Sequence, residues 1–287
     1  LGSTAIAGGR MPSGTGLAAA PRALTRRMVE EAPYWLLVRE LGHSEADRLL
    51  GEDPGAGAVV ATAERPSMDA LAAELWIDPG TGPALEGVVA FAPTAQLSAD
   101  LPDDPEARVI PVSGWQDIGE VDIGTLAAID GELVRIDGIT PTAITVGRGC
   151  LDTVPRAHVA GTPVVFFDEG ARITETAWAA GETLAARLLP ETGRGILAFA
   201  LAPEDRVTLD RRAIRPLPPG RVQANGSYTP DVDALVSADL VLTWSHRDRL
   251  TQTSPVIVDH TGPSIGPEPG VSYGVEVRWI DPDTDVA

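Results

Sequence analysis

"GELVRIDGITPTAITVGRGCLDTVPRAHVAGTPVVFF", residues 131–167, is the stretch on which the reading of this chain turns. Leu133, Arg135 and Asp137 alternate with Val134 and Ile136, the period of a half-buried strand. "DGIT" makes a turn, and "AITVGR" returns as a partner strand. "HVAGTPVVFF" supplies another strand, with Gly161 allowing the bend before it. Residues 149–161 therefore form a loop between two strands of one small β unit. The loop holds the single cysteine of the chain, Cys150, and one of four histidines, His158. A cysteine hydrolase needs a base within hydrogen-bond reach of the thiol and a third group orienting that base. A lone Cys between Gly and Leu is more often a small buried hydrophobe. The second reading is favoured. Arg148 then reaches a carboxylate or a backbone carbonyl across the loop, Asp152 and Thr153 cap the turn by side-chain hydrogen bonds, and His158 anchors the loop. On this reading Cys150→Ala leaves any activity unchanged.

Outward from this unit, the period changes along the chain. Residues 1–20 are Gly, Ala, Ser and Pro without period, a flexible lead-in. "LTRRMVEEAPYWLLVRELG" (24–42) sets Met28, Tyr34, Leu37, Val38 and Leu41 on one helical face, with Gly42 as the stop. Pro33 predicts two helices there, and Ser44 caps a third, "SEADRLLG". After Gly51, short β-prone runs are separated by Gly, Pro and Asp clusters. Strands are predicted near 58–63, 70–77, 86–92, 107–112, 124–129, 132–139, 142–147, 163–167, 172–178, 182–188, 195–201 and 205–209. No helix alternates with them, which argues against a parallel βαβ sheet. "RPLPPG" (215–220) marks a domain boundary. "DLVLTWSHRDR" (239–249) and "GVSYGVEVRWID" (270–281) alternate like paired strands of an unfinished sandwich. The expected division is a lead-in over 1–20, a helical segment over 21–52, β-rich modules over 53–214, a Pro-rich linker over 215–230 and a last domain over 231–287.

The formal net charge of −19 disfavours duplex nucleic acid, which carries a dense row of phosphates, and anionic membrane surfaces. Every basic residue is Arg, and Asn225 is the only Asn, a pattern that reads as codon bias rather than function. One Cys cannot form an intrachain disulfide. No apolar run approaches the roughly 20 residues of a membrane helix. The N-terminus has no apolar signal core and no initiator Met, so a section of a longer protein is expected.

Other candidate sites yield to simpler readings. "GWQDIGEVD" holds Trp115, Asp117, Glu120 and Asp122, and a carboxylate pair serves a glycosidase. In so acidic a chain these read better as solvated turn residues. "DPDTD" spaces Asp281, Asp283 and Asp285 like the start of a calcium loop, without the Gly and Glu that should follow. His43, His158, His246 and His260 show no zinc spacing. "NGS" (225–227) reads as a turn, and "GSTAIAGG" lacks the strand and Lys-Ser/Thr of a phosphate loop. "SHRDR" (245–249) puts Arg247 and Arg249 on one strand face, beside Trp244. They either meet acids of a neighbouring domain or subunit, or guard a solvent-facing edge. No catalytic residue, metal or cofactor is assigned.

The order of features in "IDGELVRIDGI…ITVGRGCLDTVPRAHVAGTPVVFF" resembles a module in tail-tip proteins of long-tailed bacteriophages and related gene transfer agents. "EEAPYWLLVRELG" (30–42), "FAPTAQLSADL" (91–101), "RRAIRPLPPGRVQANG" (211–226) and "LVLTWSHRDRLTQT" (240–253) resemble further family stretches in the same order. The last two look like the link into, and an early strand of, a fibronectin type III-like domain. The resemblance implies a virion structural protein of the tail tip or baseplate hub, a homotrimer whose partners are other baseplate proteins and the tail fibre. The expected fold is mainly β, with a short N-terminal helical segment, small barrel or sandwich modules and the start of that domain. A free-standing β-sandwich adhesin for host glycan or protein receptors is the alternative, and an aromatic-lined groove would be its sign.

Overall fold

The computed structural model describes residues 19–51, 56–166, 170–228, 239–252 and 257–276. The expected lead-in up to residue 18 and Asp281, Asp283 and Asp285 lie outside these residues. The protein is mainly β. In chain order come β1 (Arg27–Glu31), helices α1 (Tyr34–Leu41) and α2 (His43–Gly51), β2 (Val59–Ala63), β3 (Ala70–Asp78) and β4 (Ala84–Val89). Then follow β5 (Thr94–Leu97), β6 (Val109–Gln116), β7 (Leu126–Ile129), β8 (Glu132–Thr140), β9 (Ala143–Gly147) and β10 (Pro163–Phe166). The last strands are β11 (Arg172–Ile173), β12 (Thr183–Thr192), β13 (Gly195–Ile196), β14 (Glu204–Thr208), β15 (Gly220–Ala224) and β16 (Leu242–Ser245).

Strands β5 to β10 close an antiparallel barrel in the order β10-β5-β6-β9-β8-β7. Alternation fills it. Ala127, Ile129, Val134, Ile136, Ile144, Val146, Val164 and Phe166 point inward with Leu97, Ile110 and Val112. The opposite faces of β7 and β8 place Leu126, Ala128 and Leu133 in a second core with α1, α2, Val60, Cys150 and Ile257. Every residue of β7 is thus buried, and its sequence, Leu-Ala-Ala-Ile, is apolar throughout.

The barrel is inserted in a sandwich. Strands β1, β2 and β11 form one sheet, and β13, β12, β3 and β4 form another, with β14 also on β12. Val59, Ala61 and Ala63 of β2 meet Ala73, Leu75 and Ile77 of β3 and Leu184, Ala186 and Leu188 of β12 in a third core. The other face of β2 sends Val60 to the helical core, so all five of its residues are buried. Burying Val59 and Val60 is worth about 1.5–3 kcal/mol each. The long pairing of β12 with β3 joins segments on either side of the barrel. The β-rich region over 53–214 is therefore nested, and the chain enters and leaves the barrel beside the same sheet.

Several expectations need correction. Residues 27–31 form strand β1, not a helix, because they pair with β2 along their whole length. Pro33 disfavours the α conformation at Ala32 and separates strand from helix. Helix α2 begins at His43, one residue before the expected Ser44 cap. The strand expected over 172–178 shortens to β11, and that over 195–201 becomes β13 followed by a 3-10 turn at Phe199–Leu201. The expected linker 215–230 supplies β15, which pairs with β16. Residues 270–276 carry no strand, and 277–281 lie outside the described residues. Leu217 and Ile257 are buried, and Ile257 joins the helical core, so this part packs on the barrel rather than standing apart.

Candidate functional site: a buried carboxylate–guanidinium–imidazole knot

The loop 149–161 is organised by Glu132, the first residue of β8, whose side chain is fully buried. Its carboxylate accepts five hydrogen bonds. Oε1 takes Arg148 Nε at 3.0 Å and Gly149 N at 3.1 Å. Oε2 takes Arg148 Nη2 at 2.7 Å, His158 Nε2 at 2.9 Å and Arg156 N at 3.0 Å. Burial alone would raise the pKa of Glu132, but the bonds from His158 and Arg148 outweigh it and hold the carboxyl below its usual range. Arg148 spends its remaining N–H groups on carbonyls. Nη1 donates to Pro102 O at 2.5 Å and Asp104 O at 2.9 Å, and Nη2 to Arg156 O at 2.6 Å. All five guanidinium donors are satisfied, which is what a charge in an apolar interior requires.

The expected roles of Arg148 and His158 match this geometry. His158 also pairs its backbone with Leu101 in an isolated bridge. Its Nδ1 is buried without a partner among the described residues. Thr153 ties the turn, accepting from Leu133 N at 3.1 Å and donating to Cys150 O at 2.8 Å. Gly161 takes φ +87° at the bend before β10. Gly149 takes φ +57°, and a Cβ there would stand 2.4 Å from Pro155 Cδ, so only Gly fits. Asp152 does not cap the turn. Its carboxylate reaches Arg212 Nε at 2.7 Å, because Arg212 lies between the loop and β1, where it also bonds Glu30 at 3.0 Å.

Cys150 is fully buried, and its thiol donates to Gly147 O at 3.3 Å, not to the imidazole. Burial pushes the thiol up to about 12, so it stays protonated near neutrality.

The arginines expected at a subunit contact find partners within the chain. Arg247 is buried beyond the end of β16, and its Nη2 donates to Asp259 O. Arg249 bonds Glu268 at 3.0 Å and lies 5.0 Å from the centre of the Tyr34 ring. The short extent of β16 explains the change, since the strand ends at Ser245 before either arginine. Trp244 is 37% exposed, with its ring 6.3 Å from that of Tyr273. Segment 257–260 docks on the barrel here: His260 N donates to Arg148 O at 2.7 Å, and Asp259 Oδ2 lies 3.2 Å from Arg135 Nη2.

Glu132 and Arg212 were missed as site residues. A solitary acid opening the strand "GELV" was the available signal for Glu132, whereas nothing local marks Arg212. Elsewhere, Asp117 lies 3.4 Å from Arg65, and Asn225 accepts from Val241 N at 2.8 Å as a turn residue does. Among the described residues no cluster of three or more His, Cys, Asp or Glu side chains is placed to hold a metal, and no helix is long and apolar enough to cross a membrane. Open clefts of about 500 and 520 Å³ run beside β1, and one of about 360 Å³ is lined by Trp115, Ile118, Ile139, Thr140 and Pro141. No protein-family model matches the chain, and no curated protein matches it in sequence.

Proposed function

We propose that the chain is a non-enzymatic structural section of a phage tail tip or baseplate, located in the virion, where it links the hub to the host-recognition fibre. The proposal includes a homotrimer, contacts with other baseplate proteins and the start of a fibronectin type III-like domain near the C-terminus. The ordered sequence resemblance is its origin. The observation that carries it is mechanical: among the described residues, polar contacts couple the barrel, the sandwich and segment 257–260. Arg212 bonds Asp152 of the barrel loop and Glu30 of the sandwich. Arg27 bonds Asp205 at 2.5 Å between the two sheets of the sandwich. Arg135 and Arg148 hold segment 257–260. With the barrel tethered at both ends to the sandwich, load on either module passes to the other. Arg148, Asp152 and His158 of the loop are all hydrogen-bonded within the chain.

Light scattering with intact-mass spectrometry on the native protein tests the reading. A trimer found at labelled tail tips is expected, and a stable monomer outside the virion contradicts it. The adhesin reading keeps one observation in its favour, the shallow cleft at Trp115. Glycan-array binding abolished by Trp115→Ala would favour that alternative.

A further inference from the structure

β1 is an edge strand: its sheet runs β1-β2-β11, and among the described residues no strand pairs with its other side. The bonds from Glu64 N to Arg26 O and from Ala32 N to Ala58 O bracket the β1–β2 ladder and set its phase. In an antiparallel ladder backbone groups alternate in direction. Met28 and Glu30 therefore bond β2, while Arg27, Val29 and Glu31 turn their N–H and C=O groups away from it. Arg212 Nη1 donates to Glu31 O at 2.8 Å and closes that end. Arg27 and Val29 remain, and both line the cleft of about 500 Å³ between β1 and the barrel. The faces of β1 are covered, because Met28 packs on the helical core and Val29 on the sandwich core. Among the described residues its edge alone is left uncovered.

We propose that this edge docks an extended, basic segment of a partner protein, added to β1 as a further strand. Backbone pairing at Arg27 and Val29 supplies the register, and a strand rising about 3.3 Å per residue needs about four residues to use both. Charge selects the partner. The cleft walls carry Glu30, Asp130 and Asp205 against Arg27. Asp205 is bonded to Arg27 and Glu30 to Arg212, which leaves Asp130 exposed at the rim without an ion pair among the described residues. A chain of net charge −19 also draws a cationic segment from a distance. Pro163 and Val165 opposite β1 offer apolar wall for alternate side chains. The inference does not rest on the tail-tip reading.

The test is amide hydrogen exchange on the full chain, with a short synthetic peptide of alternating Val and Arg as the probe. Free protein should exchange Val29 N–H quickly while Met28 and Glu30 stay protected. Saturating peptide should slow Val29 by about tenfold or more. The same peptide with its central amide N-methylated should not bind. Val29→Pro removes the outward N–H without touching the β2 ladder and should abolish the effect. Asp130→Asn, which removes the charge and suits the left-handed backbone at that turn (φ +44°), should weaken binding by about threefold. Unchanged Val29 exchange, or equal binding of the N-methylated peptide, overturns the proposal. So does Val29 protection that rises with protein concentration without peptide, which assigns the edge to a second copy.

Discussion

Two arginines, Arg148 and Arg247, are buried in this chain, and they are held differently. Arg148 meets a carboxylate and places all five donors. Arg247 meets a backbone carbonyl, its Nη1 has no partner among the described residues, and burial pulls its pKa down. The neighbouring Arg249 Nε and Gln252 Nε2 are likewise buried and unpartnered among the described residues. A buried charge stabilises a fold only when each of its groups is answered, since an unanswered donor keeps its full desolvation cost. Loop 149–161 is thus pinned from within, whereas residues 245–252 hold buried donors that no group among the described residues answers.

The contrast breaks most visibly at Glu132. Glu132→Gln leaves the Arg148 guanidinium buried without a counter-ion and should cost about 3–5 kcal/mol of unfolding free energy in urea titration. Gly149→Ala forces a side chain into a positive-φ position against Pro155 and should cost about 1–3 kcal/mol, seen as a lowered Tm. Arg247→Met deletes a charge that makes no ion pair among the described residues, Asp259 acting on it only from a distance, and it should change stability by less than about 1.5 kcal/mol in the same titration. Acid should separate the two regions. Burial, reinforced by Arg247, holds the pKa of His260 below its ordinary 6.5, so its neutral form favours the fold. That contribution is full above 6.5 and fades as pH falls through the depressed value. Glu132, held below 4.5, keeps its contribution at that point and loses it only in stronger acid. Hydrogen exchange between pH 7 and 5 should therefore loosen segment 257–260 before loop 149–161.

The comparison also shows what a sequence discloses. Strands β7, β8, β9 and β10 were legible because alternation and turn residues are local signals. The roles of Arg148, Thr153 and His158 followed from short-range hydrogen-bonding habits. What escaped depends on distant pairing. β1 reads as a helix until β2 arrives to pair with it, and the nesting of the barrel depends on β12 finding β3 across the whole insertion. The partner of Asp152 is Arg212, sixty residues on, and no period announces it. Arg247 and Arg249 were placed on a strand face because alternation continues past Ser245, but the backbone leaves the sheet there and turns both side chains back into the chain.

The most direct measurement of the claim that the loop is a structural pin is a double-mutant cycle on Glu132→Gln and Arg148→Met, followed by urea unfolding. The account predicts that each single change costs about 3–5 kcal/mol and that the double costs clearly less than their sum, because each residue's cost lies largely in the other's abandonment. Additive losses, or single changes within about 0.5 kcal/mol of the parent, would contradict it.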